Sequence, residues 1–160
     1  MPKLKKSWQE KLYDSKDLPR VEPITERMSH RWGTGTVVIP SPLEVDAFMR
    51  QVPKGKITTI DEIRKALAKK HNASIGCPLT TGIFAWVAAH AAYEQSFGGE
   101  KGITPYWRTL KSDGALNPKY PGGVQEQAAR LKEEGHIIEF YKGNKLPKVK
   151  DFEKSLAKLQ

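Results

Sequence analysis

With 160 residues the chain is long enough for one core of ordinary size, and a second independent domain would be cramped. Apolar residues make up 38% and charged residues 28%, and no apolar run approaches the roughly 20 residues needed to span a bilayer, so no membrane helix is expected. Cys77 is the only cysteine, which excludes an internal disulfide, and His30, His71, His90 and His136 are too scattered for a zinc site, so neither a metal nor another cofactor is expected.

The net charge of +9 favours an anionic partner, because Lys and Arg that neutralise phosphates release condensed counterions. Much of the excess lies in Lys3, Lys5 and Lys6 and in the tail with Lys142, Lys145, Lys148, Lys150, Lys154 and Lys158. Such runs also serve simply as solvated surface. Nucleic acid is preferred over membrane because no long amphipathic helix accompanies the charge. Residues 1–6 are basic but lack the apolar stretch of a secretory signal, so a cytoplasmic location is expected.

In chain order, residues 1–40 mix charges with Pro19, Pro23, Gly33 and Gly35 and read as an N-terminal extension packed on the domain. Within it, Thr36 to Ile39 is a short β-branched run. Val45, Phe48, Met49 and Val52 then recur at helical spacing, predicting a helix over 43–51. Thr59 and Glu62 form a capping-box pattern ahead of Ile60, Ile63 and Leu67, predicting a helix to about residue 70. A polar connection over 71–79 follows, with Thr80 or Thr81 as cap of a second helix whose apolar stripe is Ile83, Phe84, Val87 and Ala91. Ala85, Ala88, Ala89 and Ala92 give that helix a small profile, either to approach a nucleic-acid backbone closely or merely because alanine favours helix. Beyond Gly98, Gly99 and Gly102, residues 105–110 read as extended and 112–123 as turn-rich. Val124, Ala128 and Leu131 define a helix stopped by Gly135. Residues 137–160 read as a basic extension: a strand pair from 137–141 and the residues after Gly143-Asn144, then a short helix capped by Asp151.

Several strings then fall in a particular order. Val52-Pro53-Lys54-Gly55-Lys56-Ile57-Thr58-Thr59 is followed by Pro105-Tyr106-Trp107-Arg108-Thr109, Ser112-Asp113-Gly114, Tyr120-Pro121-Gly122-Gly123 and Leu131-Lys132-Glu133-Glu134-Gly135. Over 41–136 this order resembles the DNA-binding domain of the alkylguanine-DNA alkyltransferases (methylated-DNA-protein-cysteine methyltransferases). The resemblance implies a fold that is mainly α with a small β component, a winged helix-turn-helix-like alkyltransferase DNA-binding domain. It also implies a monomer that binds double-stranded DNA, with repair proteins as further partners and no membrane.

In that family a cysteine thiolate accepts the alkyl group of a flipped base, assisted by histidine, water and glutamate. Here Tyr106 stands at the cysteine position, and a phenol, with a reference pKa of about 10 against about 8.5 for a thiol, is a far poorer nucleophile at neutral pH. Trp107 stands at the histidine position, and an indole cannot act as a base because its only polar atom is a donor. Glu134 matches the glutamate but has no relay to complete. The pattern is similar to the alkyltransferase-like branch, which binds alkylated guanine without repairing it and takes part in DNA repair or damage signalling. Three features depart from the family: the histidine is absent, Thr81 lies near the place of its intercalating arginine, and Ile60 replaces a tyrosine.

The resemblance implies that a minor-groove helix with Thr81 and Trp86 enters the DNA while Lys54 and Lys56 contact phosphates. A flipped base would enter a pocket between that helix and residues 105–123, with Tyr106, Trp107, Arg108, Ser112, Gly114 and Tyr120 around it. Tyr106 and Trp107 either stack on the base or fill the vacated pocket as core. Two alternatives stay open. Cys77, directly ahead of Pro78 and a helix N-terminus, is a candidate thiol nucleophile, and Cys77-Pro78-Leu79-Thr80-Thr81-Gly82 resembles a signature of a less studied branch of the superfamily. An isolated cysteine is equally a small buried hydrophobe. The other alternative is a protein-interaction module that reuses the DNA face.

Overall fold

The computed structural model describes residues 6–160, and its architecture is mainly helical with three small sheets. Helix α1 (Trp8–Tyr13) starts at Ser7, whose hydroxyl accepts from the Glu10 amide. Strand β1 (Arg20–Pro23) and helix α2 (Glu26–Trp32) lead to β2 (Thr36–Ile39), which pairs antiparallel with β1. The basic run at Lys3 and Lys5 lies outside the described residues.

Helix α3 (Pro42–Arg50) carries a full capping box: Ser41 Oγ accepts from the Glu44 amide, and the Glu44 carboxylate accepts from the Ser41 amide. After the turn at 53–56 come the short strand β3 (Thr58–Thr59) and helix α4 (Ile60–His71). Thr59 caps α4 as its pattern predicts. Asp61 and Glu62 in the first turn and Lys69, Lys70 and His71 in the last complement the helix dipole, and Asn72 ends the helix in the left-handed conformation.

Strand β4 (Ile75–Gly76) adds to β2 in parallel and delivers the chain to α5 (Pro78–Phe97). This helix begins earlier than its threonines suggest. Pro78 occupies its first position, where a missing N–H costs nothing, and Cys77 is the N-cap. Thr81 is therefore inside the helix, fully buried, and its hydroxyl donates to the Cys77 carbonyl at 2.6 Å.

The alanines of α5 are resolved in favour of the core. Ala85, Ala88, Ala89, Ala91 and Ala92 are buried beneath α1, α3 and α4, and their small side chains let these helices approach closely. They are not available to a nucleic-acid backbone. Leu12, Val38, Val45, Phe48, Met49, Ile63 and Leu67 complete this main cluster, so the 8–39 segment shares its core.

Residues 105–110 are not simply extended: Tyr106–Arg108 form one 3-10 turn, followed by β5 (Thr109–Leu110), which pairs in parallel with β3. Helix α6 (Gly123–Glu133) packs Ala128 and Leu131 into a second cluster with Ile57, Leu110, Leu116, Ile138 and Val149. The C-terminal strand pair forms, but β6 (Ile138–Glu139) meets β7 (Lys148–Val149) well beyond Gly143-Asn144, because Pro147 and Val149 are held by the 114–116 backbone. The last element is a 3-10 turn, Phe152–Ser155, and Asp151 precedes it in the left-handed conformation without capping it.

Candidate nucleic-acid interface

Helix α5 has two apolar faces, and only one is covered. Turned away from the alanine face are Leu79, 68% exposed, and Ile83, 42% exposed, with half-buried Trp86 one turn on. Opposite them runs the 111–119 loop. Between the two walls lies a groove of about 750 Å³, lined by Ile60, Leu79, Ile83, Trp86, Ser112 and Asn117 among others, with Lys111 and Lys119 on the loop wall. This volume lies within the range of small-molecule clefts.

The loop wall is held by polar contacts. Buried Gln127 accepts from the Asn117 amide at 2.8 Å and donates to the Trp107 carbonyl at 3.2 Å. Asn117 Oδ1 in turn accepts from the Lys119 amide. At one end Ser112 Oγ donates to Asp61 at the start of α4, and at another His90 Nε2 lies 2.9 Å from the Lys119 carbonyl. His90 also stacks on Trp8 at 4.5 Å, and Trp8 meets Trp86 edge-on at 4.7 Å, so α1 braces the back of the groove. The Trp8 and Gln9 amides donate to Glu94, which fastens α1 to α5.

Of the residues singled out in the sequence, Trp86 and Ser112 line this groove. Lys54 and Lys56 are exposed in the turn before β3 and are not part of its lining. Thr81, Tyr106 and Tyr120 are buried, which removes them as contact groups. The Tyr106 ring is fully buried between Trp107 and Tyr120, each meeting it edge-on at 5.3 and 5.9 Å. Burial raises the pKa of its phenol, and burial likewise raises that of Tyr120. Trp107 packs against both hydrophobic clusters and lies under the Arg130 guanidinium at 4.5 Å. Tyr106 is thus core, and Trp107 is half-buried where the two clusters meet.

Arg108 is committed to structure. It makes a bidentate pair with Glu134 at 2.6 and 2.9 Å and donates to the Val52 carbonyl at 2.8 Å. Gly114 is buried at φ +84°, and a β-carbon there would meet the Phe152 ring at 2.3 Å, so its role is close packing. Cys77 is 6% exposed and lines a different hollow, of about 160 Å³, whose other walls include Glu22, Met28, Trp32, Val37 and Ile39.

Leu79, Ile83, Lys111, Asn117 and Lys119 were not legible as a site. Leu79 and Ile83 share an i, i+4 row with buried Val87, so their spacing carries no sign that they face outward. Among the described residues no group of His, Cys, Asp and Glu is placed to hold a metal ion, and no helix is long and apolar enough to cross a membrane.

No protein-family model and no curated protein matches the chain. Among solved structures it is similar to S. pombe Atl1, in the crystal structure of that protein in complex with damaged DNA containing O6-carboxymethylguanine. The identity is 21%, covering 73% of this chain and 94% of the other, with a TM-score of 0.48.

Proposed function

We propose that this chain is a non-catalytic, cytoplasmic, alkyltransferase-like protein that binds double-stranded DNA in the manner of a helix-turn-helix protein and flags alkylated guanine for repair. In this reading α4, the 72–77 connection and α5 form the motif, and α5 is the helix laid against DNA. The carrying observation is the groove between α5 and the 111–119 loop. Its walls are apolar enough to take an extruded base, and Lys111 and Lys119 on the loop wall offer positive charge to flanking phosphates.

The burial of Tyr106 supports the absence of alkyl transfer at the position matched to the family's cysteine. A phenol without solvent access and with a raised pKa offers no nucleophile to the groove. Trp107, Arg108 and Tyr120 then keep the shape of the old site as core, while Leu79, Ile83 and Trp86 meet the ligand.

The experiment compares duplexes with and without an O6-alkylguanine, at salt concentrations of about 50 and 200 mM. Tighter binding to the alkylated duplex is expected, with affinity falling roughly tenfold or more across that range, as counterion release requires. Ile83→Glu places a charge on the groove wall and should abolish the preference. A radiolabelled alkyl group recovered on Cys77 would make the chain an enzyme and overturn the reading. Binding that ignores salt would instead favour a protein-interaction module.

A further inference from the structure

The C-terminal hairpin carries a second surface that the groove does not use. Ile138 and Val149 turn into the core, but Ile137, Phe140 and Tyr141 stay at 64%, 58% and 38% exposure. Large aromatics left in water on successive residues are uncommon unless they meet something. Each has a cation over its face: Lys132 Nζ is 4.9 Å from the Phe140 ring centre, and Lys145 Nζ is 4.3 Å from that of Tyr141. Lys142 and Lys150 are exposed on the same segment, where Glu139 is the one acidic residue between 137 and 150.

The hairpin is not a loose tail. The Leu116 amide donates to the Pro147 carbonyl at 2.9 Å, the Val149 amide donates to the Gly114 carbonyl at 3.1 Å, and Lys148 pairs with Asp113 at 3.5 Å. These bonds fix β7 to the 111–119 loop, the wall that also bears Lys111 and Lys119, and β6 pairs with β7 immediately ahead of Phe140.

We propose that Phe140 and Tyr141, with Lys132, Lys142 and Lys145, form a binding surface for a single-stranded segment of nucleic acid. Unpaired bases stack on the two rings and the lysines accompany the backbone. The chemistry selects this partner over two others. An apolar protein face would not call for the interleaved cations. An intact duplex presents phosphates but keeps its base faces stacked, leaving the rings without a partner. This surface lies apart from the groove and rests on the duplex-binding reading only in sharing a polyanionic ligand.

The test is fluorescence anisotropy on the whole chain, with a fluorescein-labelled oligothymidylate and a blunt duplex of similar length as probes. The paired change Phe140→Ala and Tyr141→Ala should weaken oligothymidylate binding about thirtyfold or more, the loss expected for removal of two stacking platforms, while duplex binding holds. The melting temperature of the paired variant is followed alongside, since Tyr141 is only 38% exposed and its removal costs some packing. Phe140→Trp with Tyr141→Trp keeps two π faces and should retain the affinity. Failure of the wild-type chain to bind oligothymidylate overturns the proposal, as does an alanine variant that binds it unchanged or loses both probes in equal proportion. Ile83→Glu separates the two readings, since it should remove the preference for the alkylated duplex and leave oligothymidylate binding unchanged.

Discussion

The pair Arg108 and Glu134 shows how a polar residue near a site can belong to the scaffold. Their side chains are only 14% and 8% exposed, and between them they tie the 3-10 turn, the end of α6 and the Val52 carbonyl. A half-broken buried pair is costly because the surviving charge keeps its desolvation without its partner. Arg108→Ala should therefore lower stability by about 3–5 kcal/mol, read as the shift in urea unfolding, while the folded fraction binds duplex as before. Arg108→Lys should recover little, since an ammonium cannot reproduce the planar two-bond fork. A selective loss of DNA affinity with unchanged stability would place Arg108 in the interface instead. Tyr106 and Trp107 follow the same logic. Their bulk fills the junction of the two clusters, and the Tyr106 hydroxyl and Trp107 indole nitrogen are buried without a protein partner.

Among the elements, α3 and α4 meet through one carboxylate. Glu44 accepts from the Ser41 amide, lies 2.7 Å from Lys70 Nζ and 2.6 Å from His71 Nε2, and has a side chain only 10% exposed. Burial pushes its pKa up, but the hydrogen bonds from Lys70, His71 and Ser41 outweigh burial and hold the carboxyl below the usual range. A group whose folded pKa is depressed stabilises the protein above its unfolded value, near pH 4.3, and loses that contribution as pH falls through the folded value. Glu44→Gln should consequently be less stable than wild type at pH 7, and the two should converge as urea midpoints are followed into acid. Parallel curves at all pH values would mean that the carboxylate charge contributes nothing. The α5 helix shows the opposite design: its inner face is nearly all alanine and its outer face carries Leu79, Ile83 and Phe97, so packing uses one side of the rod and leaves the other apolar and open.

At the scale of the whole molecule the two ends of the chain brace the middle. α1 backs the groove through Trp8, and the C-terminal residues strap the 51–57 segment: Ile57 exchanges backbone bonds with Ser155 and Ala157, and Gln160 bonds Gln51 twice. Phe152 fills the space above Gly114, connecting that strap to the groove wall. Deleting residues 151–160 should expose Ile57 and cost about 2–4 kcal/mol, with faster amide exchange at Ile57 and through 111–119. Unaltered exchange there would show the strap to be dispensable.

The capping pattern at Thr59, the helical spacings of α3, α4 and α6, and the glycine stops were readable from the sequence, because each depends on residues within one or two turns of each other. So was the presence of a phenol at position 106, which is a matter of residue identity alone. Which side of α5 is covered was not readable: Ile83 and Val87 look equivalent along the chain, and only the docking of α1, α3 and α4 buries one and leaves the other in water. The same holds for Tyr106, turned into the core by α6 and Tyr120, and for Cys77, enclosed by residues from β1, α2 and β2 rather than by the groove. Burial is set by surfaces that meet from distant parts of the chain, and local pattern carries no record of that meeting.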